Sequence, residues 1–181
     1  MLYLFLADGF EEIEALAPVD FIRRASLEVK TVGVTGNVCT GAHNIEVSSD
    51  ISPADMILDQ SLEGIILPGG MPGADNLDKA ECVAEALKYC VENNKMISAI
   101  CASPFILGKR GLLKGRKATC FPGFEDYLEG AFVCEEGVVT DGNIITAKGA
   151  GAAWEFGAEI VGCLKGKAES DKILKAIQWK K

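Results

Sequence analysis

Met96-Ile97-Ser98-Ala99-Ile100-Cys101-Ala102-Ser103-Pro104 is the stretch that decides the fold. The apolar run from Met96 to Ile100 reads as a buried strand, ends at a cysteine, and passes through small residues into the helix-like stretch Phe105 to Arg110. A side chain at such a strand-to-helix corner stands on its own sharp turn. It also lies near a helix N-terminus, where backbone N–H groups and the macrodipole favour a thiolate. These are the mechanics of a nucleophile elbow, with cysteine in place of serine.

Upstream of the elbow the chain alternates strand and helix. Met1 to Ala7 is nearly continuous apolar, as expected of a strand buried on both faces of a parallel sheet. Asp8-Gly9 breaks it, and Glu11 to Ala25 has helical spacing with Pro18 inside, which predicts a kink or a split in the hydrogen bonding. Glu28 to Val34 is a second strand, and Val38 to Ser49 alternates as a hairpin. Ser52-Pro53-Ala54-Asp55 resembles a helix start. Gly64 to Leu67 is a further buried strand, ending in Pro68-Gly69-Gly70-Met71-Pro72-Gly73, and Glu81 to Asn93 is helical.

Downstream, Thr119 to Phe121, Phe132 to Val139 and Ile144 to Ala147 predict short strands, with Asp141-Gly142-Asn143 as a turn. Gly151 to Leu164 is an apolar helix, and Ser170 to Trp179 an amphipathic one that begins on a serine cap. The order implies a doubly wound α/β sandwich with a mainly parallel sheet, a single domain over residues 1–181. In such sheets ligands bind at the carboxyl ends of the central strands. Asp8 to Glu14, Pro68 to Gly70 and Ile100 to Ala102 meet at one mouth if those strands are parallel neighbours.

Composition narrows the classes of function. The 181 residues are 49% hydrophobic, enough for a sizeable core, and the formal charge of −8 comes without a basic stripe. That balance argues against nucleic acid or an anionic membrane as partner. The seven cysteines are scattered, form no metal-ligand spacing and are joined by one histidine, so neither a metal site nor a disulfide framework is expected. A reduced, cytoplasmic setting fits. The first apolar run meets Asp8 too soon for a signal peptide, and no run reaches transmembrane length.

Cys101 is the candidate nucleophile by context. Glu11, Glu12 and Glu14 suit the first turn of a helix, where carboxylates complement the dipole. Glu14 lies deeper, and if it points into the same mouth as Cys101 its pKa would rise and it could shuttle a proton. Gly69-Gly70 can be a plain turn, or can aim the Gly70 N–H at an oxyanion with the Ala102 N–H as partner. Gly-Gly-Met-Pro-Gly is not a dinucleotide fingerprint, and no phosphate-loop lysine follows. His43, the only histidine, falls in the hairpin and reads as a surface or interface residue rather than as a base for Cys101.

Together these residues resemble the ThiJ/PfpI superfamily, in the branch of the Parkinsonism-associated protein deglycase and bacterial YajL. The resemblance spans nearly the whole chain through Ala7 to Glu14, Pro18 to Ala25, Leu67 to Gly70, Gly73 to Leu77, Ala99 to Pro104, Gly149 to Gly151 and Trp154 to Phe156. It implies a flavodoxin-like sandwich and a homodimer packed through the first helix. It also implies Cys101 as an oxidation-sensitive nucleophile, Glu14 as its protonated partner, and Gly70 and Ala102 as backbone donors. Arg24 matches an arginine near the pocket at the dimer interface.

The activities implied are glyoxalase-type hydration of methylglyoxal, deglycation of early adducts on proteins and nucleotides, and a redox-sensing or chaperone role, none needing a cofactor. This chain departs at Phe121, where some members carry histidine, at Ser103 in place of a common glycine, and at Ala150 in place of a proline. Peptidase and thiazole-biosynthesis labels used in the superfamily are weaker expectations, since the histidine that follows the elbow in its peptidases is absent.

Overall fold

The computed structural model describes residues 1–179. Its sheet is built around β1 (Leu2–Leu6), β5 (Gly64–Leu67) and β6 (Met96–Ile100), in which every residue is buried. The alternation of side chains explains the unbroken apolar runs. Leu2, Leu4 and Leu6 enter one hydrophobic cluster, while Tyr3 and Phe5 enter another on the opposite face. Each fully withdrawn leucine contributes on the order of 2 kcal/mol.

The six-stranded order is β2-β1-β5-β6-β10-β9, with β2 (Val29–Gly33) at one edge, β10 (Ile144–Ala147) inside and β9 (Val138–Asp141) at the other edge. All neighbours are parallel except β9 against β10, which the Gly142-Asn143 turn joins as an antiparallel hairpin. This is the flavodoxin-like arrangement. After β1 the chain goes outward to β2 and then returns to β5 on the other side of β1, so the crevice between β1 and β5 is the topological switch point.

Helix α1 (Glu12–Arg24) covers one face of the sheet with α5 (Ala153–Lys165) and α6 (Lys167–Ala176). The other face holds α2 (Gly73–Lys79), α3 (Glu81–Glu92) and α4 (Pro104–Lys109). The predicted hairpin is present as β3 (Val38–Thr40) against β4 (Glu46–Ser48). No helix among the described residues is long and apolar enough to cross a membrane.

Several expectations are corrected. Helix α1 is assigned as one helix through Pro18, whose turn lacks one backbone N–H and packs against α5. Ser52 to Asp55 forms a capping box on a single 3-10 turn at Pro53–Asp55, not a helix. The strand expected at Thr119 to Phe121 lies earlier, as β7 (Lys117–Ala118), paired with β8 (Phe132–Val133) in a separate small sheet. The segment from Phe132 to Val139 is therefore divided between β8 and β9. Ser170 does not cap α6; it lies within the helix, buried, and donates its hydroxyl to the Ala158 carbonyl at 2.7 Å. The short α2 has no counterpart among the expected elements.

Candidate active site

Cys101 follows β6 directly and adopts a left-handed backbone with φ of 64°. Its N–H donates to the Ala147 carbonyl at 2.8 Å, carrying the β6–β10 ladder one residue past the strand. Its carbonyl accepts the Phe121 N–H at 2.8 Å, and the Ser103 N–H returns to the Ile100 carbonyl at 3.1 Å. The corner is thus pinned on every side, which is how a conformation disfavoured for a side-chain-bearing residue persists. The thiol is half-buried at the carboxyl end of the sheet.

The loop after β5 meets it there. Gly70 has φ of 85° and packs against the backbone of Gly9 and Phe10, so glycine suits both its dihedral and its close approach. A Cβ at Gly69 would come within 2.6 Å of both the Cys101 Cβ and Glu14 Oε2. The Gly70 and Ala102 N–H groups act on the Cys101 sulfur, each pulling its pKa down. Glu14 enters from the first turns of α1, 1% exposed, and its Oε2 accepts the Gly69 N–H at 2.9 Å. Its carboxyl lies beside the Cys101 side chain, close enough for each group to shift the titration of the other.

Burial dominates the titration of this pair. It pushes Glu14 up to about 7, against the hydrogen bonds from Cys101 and Gly69. Burial and then the Glu14 charge push Cys101 up to about 12, while the Gly70 and Ala102 N–H groups pull it down. Backbone N–H groups favour the thiolate here, and burial exceeds them. Helix α4 begins only at Pro104, and the carboxylate beside the sulfur outweighs the donors. When Glu14 takes a proton, the repulsion ends and the two N–H donors remain.

The three neighbouring glutamates have different fates. Glu11 is the N-cap residue of α1 but makes no side-chain cap. Glu12 is buried, and both its oxygens are engaged by His43: Oε1 accepts the backbone N–H at 2.8 Å and Oε2 pairs with Nδ1 at 2.8 Å. This clamp of the β3–β4 hairpin onto the start of α1 lowers the Glu12 pKa against its burial and raises that of His43, chiefly through their hydrogen bond. It brings His43 close to the mouth, though with Glu12 and Glu11 rather than Cys101. Nothing local in the sequence pairs residues 12 and 43. The Glu11, Glu12 and His43 ligand atoms lie within 4.8 Å of one another, yet His43 already satisfies Glu12 as an ion pair.

Phe121 is 47% exposed and stands over Gly149, where a Cβ would lie 3.2 Å from its ring and 3.9 Å from Glu14 Oε1. It forms an apolar wall beside the carboxyl. Arg24 is not brought to this mouth within one chain. It occupies the last turn of α1, roughly 15 Å along the axis from Glu14, and its Nε binds Asp20 at 2.6 Å. Cys120 is buried in the core beneath α4. All seven cysteines are free.

A flavodoxin-like sheet with a cysteine at a left-handed elbow, faced by a buried carboxyl and glycine-loop N–H groups, defines a class of cysteine-centred α/β proteins. The chain belongs to the DJ-1/PfpI family, whose profile matches residues 1–162. It is 31% identical over 177 residues to protein dj-1beta of Drosophila melanogaster, covering 96% of this chain and 94% of that protein. It is 32% identical over 178 residues to the glutathione-independent glyoxalase DJR-1.2 of Caenorhabditis elegans, covering 97% and 94%. The solved structure of oxidized Toxoplasma gondii DJ-1 superposes with a TM-score of 0.94 at 30% identity, over 99% of this chain and 98% of that one.

Proposed function

We propose that this chain is a cysteine-dependent glyoxalase or deglycase acting on methylglyoxal or its early adducts on proteins and nucleotides. The observation that carries the reading is the buried Glu14 carboxyl, held by the Gly69 N–H, set beside the Cys101 side chain at the carboxyl end of the sheet. A buried carboxyl near neutrality exchanges protons readily in both directions at physiological pH. The C. elegans relative's name supports the chemistry at the level of the family.

The steps balance without a cofactor. Glu14 takes the thiol proton, and the Cys101 sulfur adds to the aldehyde carbon. The Gly70 and Ala102 N–H groups stabilise the alkoxide until Glu14 protonates it to a hemithioacetal. The Glu14 carboxylate then removes the proton on that carbon and returns it to the neighbouring ketone carbon, while the hemithioacetal hydroxyl proton passes to the ketone oxygen, so the ketone becomes an alcohol as the first carbon becomes a thioester. Water hydrolyses the thioester, releasing lactate and the thiol. The net change is addition of one water, one carbon being oxidised and its neighbour reduced. Phe121 forms the apolar side of a mouth suited to a small neutral carbonyl.

Two exposed apolar side chains on α1, Ile13 and Leu16, at 49% and 39% exposure, support dimer packing through that helix. A second reading rests on the same donors. Peroxide would oxidise the Cys101 thiolate to a sulfinate, two peroxides yielding two waters, and the Gly70 and Ala102 N–H groups would hold its oxygens, making the protein a redox sensor or chaperone. Lactate formation from methylglyoxal separates the readings. Cys101→Ser abolishes it under the enzyme reading; unchanged turnover in that variant would sink the reading. A wild type that shows no turnover but gains sulfinate at Cys101 under mild peroxide favours the sensor.

A further inference from the structure

Ser103 is fully buried and is the N-cap residue of α4, yet its side chain makes no cap hydrogen bond. A serine at that position ordinarily accepts an N–H from the first turn of its helix. Here its hydroxyl donates to the Pro68 carbonyl at 2.5 Å, on the loop that follows β5. The Pro68 carbonyl and the Gly69 N–H belong to one peptide unit, and that N–H donates to Glu14 Oε2 at 2.9 Å. A single peptide plane is therefore held at both ends, by the elbow on one side and by the carboxyl on the other. The next N–H along, from Gly70, is one of the two backbone groups that pull the Cys101 pKa down.

We infer that Ser103 is a positioning residue that locks the Pro68–Gly69 peptide between the elbow and Glu14, and so holds both the carboxyl and the Gly70 donor on the Cys101 sulfur. A carbonyl that accepts a hydrogen bond makes the N–H of its own peptide a stronger donor, so the Ser103 hydroxyl acts on Glu14 through one shared amide. A glycine in its place leaves that carbonyl without the hydroxyl. The charged groups acting on the sulfur come down to Glu14 from α1, which is itself acted on by Glu11. The inference rests on the reading of Cys101 as the reacting thiol.

The test compares wild type with Ser103→Ala, Ser103→Gly and Ser103→Thr in the full chain. Iodoacetamide labelling of the Cys101 peptide is followed by mass spectrometry across pH, and melting is measured beside it. Ala and Gly variants should move the labelling midpoint downward by about one pH unit, since a weaker Gly69 donor lets Glu14 keep its proton to higher pH and so lifts its repulsion from the sulfur. Ser103→Thr, which keeps the hydroxyl, should return it toward the wild-type value. A midpoint unchanged in both the Ala and Gly variants, with or without a lower melting temperature, overturns the inference. Labelling needs no turnover, so a shifted midpoint with no lactate formed by the wild type overturns the enzyme reading and leaves the role of Ser103 standing.

Discussion

Cys101 and Cys90 are both pushed up to about 12, and they could hardly differ more in what that value means. Cys90 lies on α3, fully buried, and burial alone raises it, with Lys95 pulling slightly the other way. Cys101 is half-buried, and its value is a balance: burial and the Glu14 carboxylate raise it, while the Gly70 and Ala102 N–H groups lower it. One thiol is inert because nothing near it can change. The other is restrained by a neighbour that itself titrates near neutrality. A matching pKa thus hides a fixed environment in one place and an adjustable one in the other.

The largest effect that could break this comparison is in chemical reactivity. Iodoacetamide should label Cys101 in the native protein at least about a thousandfold faster than Cys90, since reaching Cys90 requires opening the core. Comparable labelling rates, read peptide by peptide, would erase the distinction.

The next test acts on the adjustable partner. Glu14 holds a proton in the folded state up to about 7, whereas the unfolded chain releases it near 4.5. Its contribution to stability is therefore fully present below pH 4.5 and is lost as pH rises through about 7, on the order of 3 kcal/mol over the interval. Glu14→Gln should flatten that decline and be the more stable form above pH 7, while turnover falls strongly because the proton relay is gone. Denaturant melts at a series of pH values measure the slope; an undiminished slope in Glu14→Gln would place the titration elsewhere. The smallest effect belongs to the fixed environment. Cys90→Ala should cost about 1 kcal/mol through the small cavity it leaves, with lactate formation unchanged.

The parts of the fold legible in the sequence were those with strong, short-range patterns. Strands β1, β5 and β6 are buried on both faces, so their apolar runs are continuous, and the small residues after Ile100 mark the corner. What escaped depends on contacts distant in sequence. Helix α2 is seven residues long and mostly polar, with Ala74 and Leu77 as its buried apolar side chains, too few to set a period. Ser170 has a cap residue's chemistry but spends it on the Ala158 carbonyl. In the site, Cys101 and its glycine loop carry local signals, whereas Glu14 is set apart from Glu11 and Glu12 only by lying about one turn deeper in the helix. Only tertiary packing gives one to a cap position, one to His43 and one to the sulfur.

The left-handed backbone at Cys101 carries an energetic consequence. An L-residue with a side chain is disfavoured there by about 1–2 kcal/mol, a strain glycine would not feel. At this position a glycine would relax the backbone but give up the packing of the Cys101 side chain against the core. On the proposed reading, the strain at this corner is offset by what the thiol does.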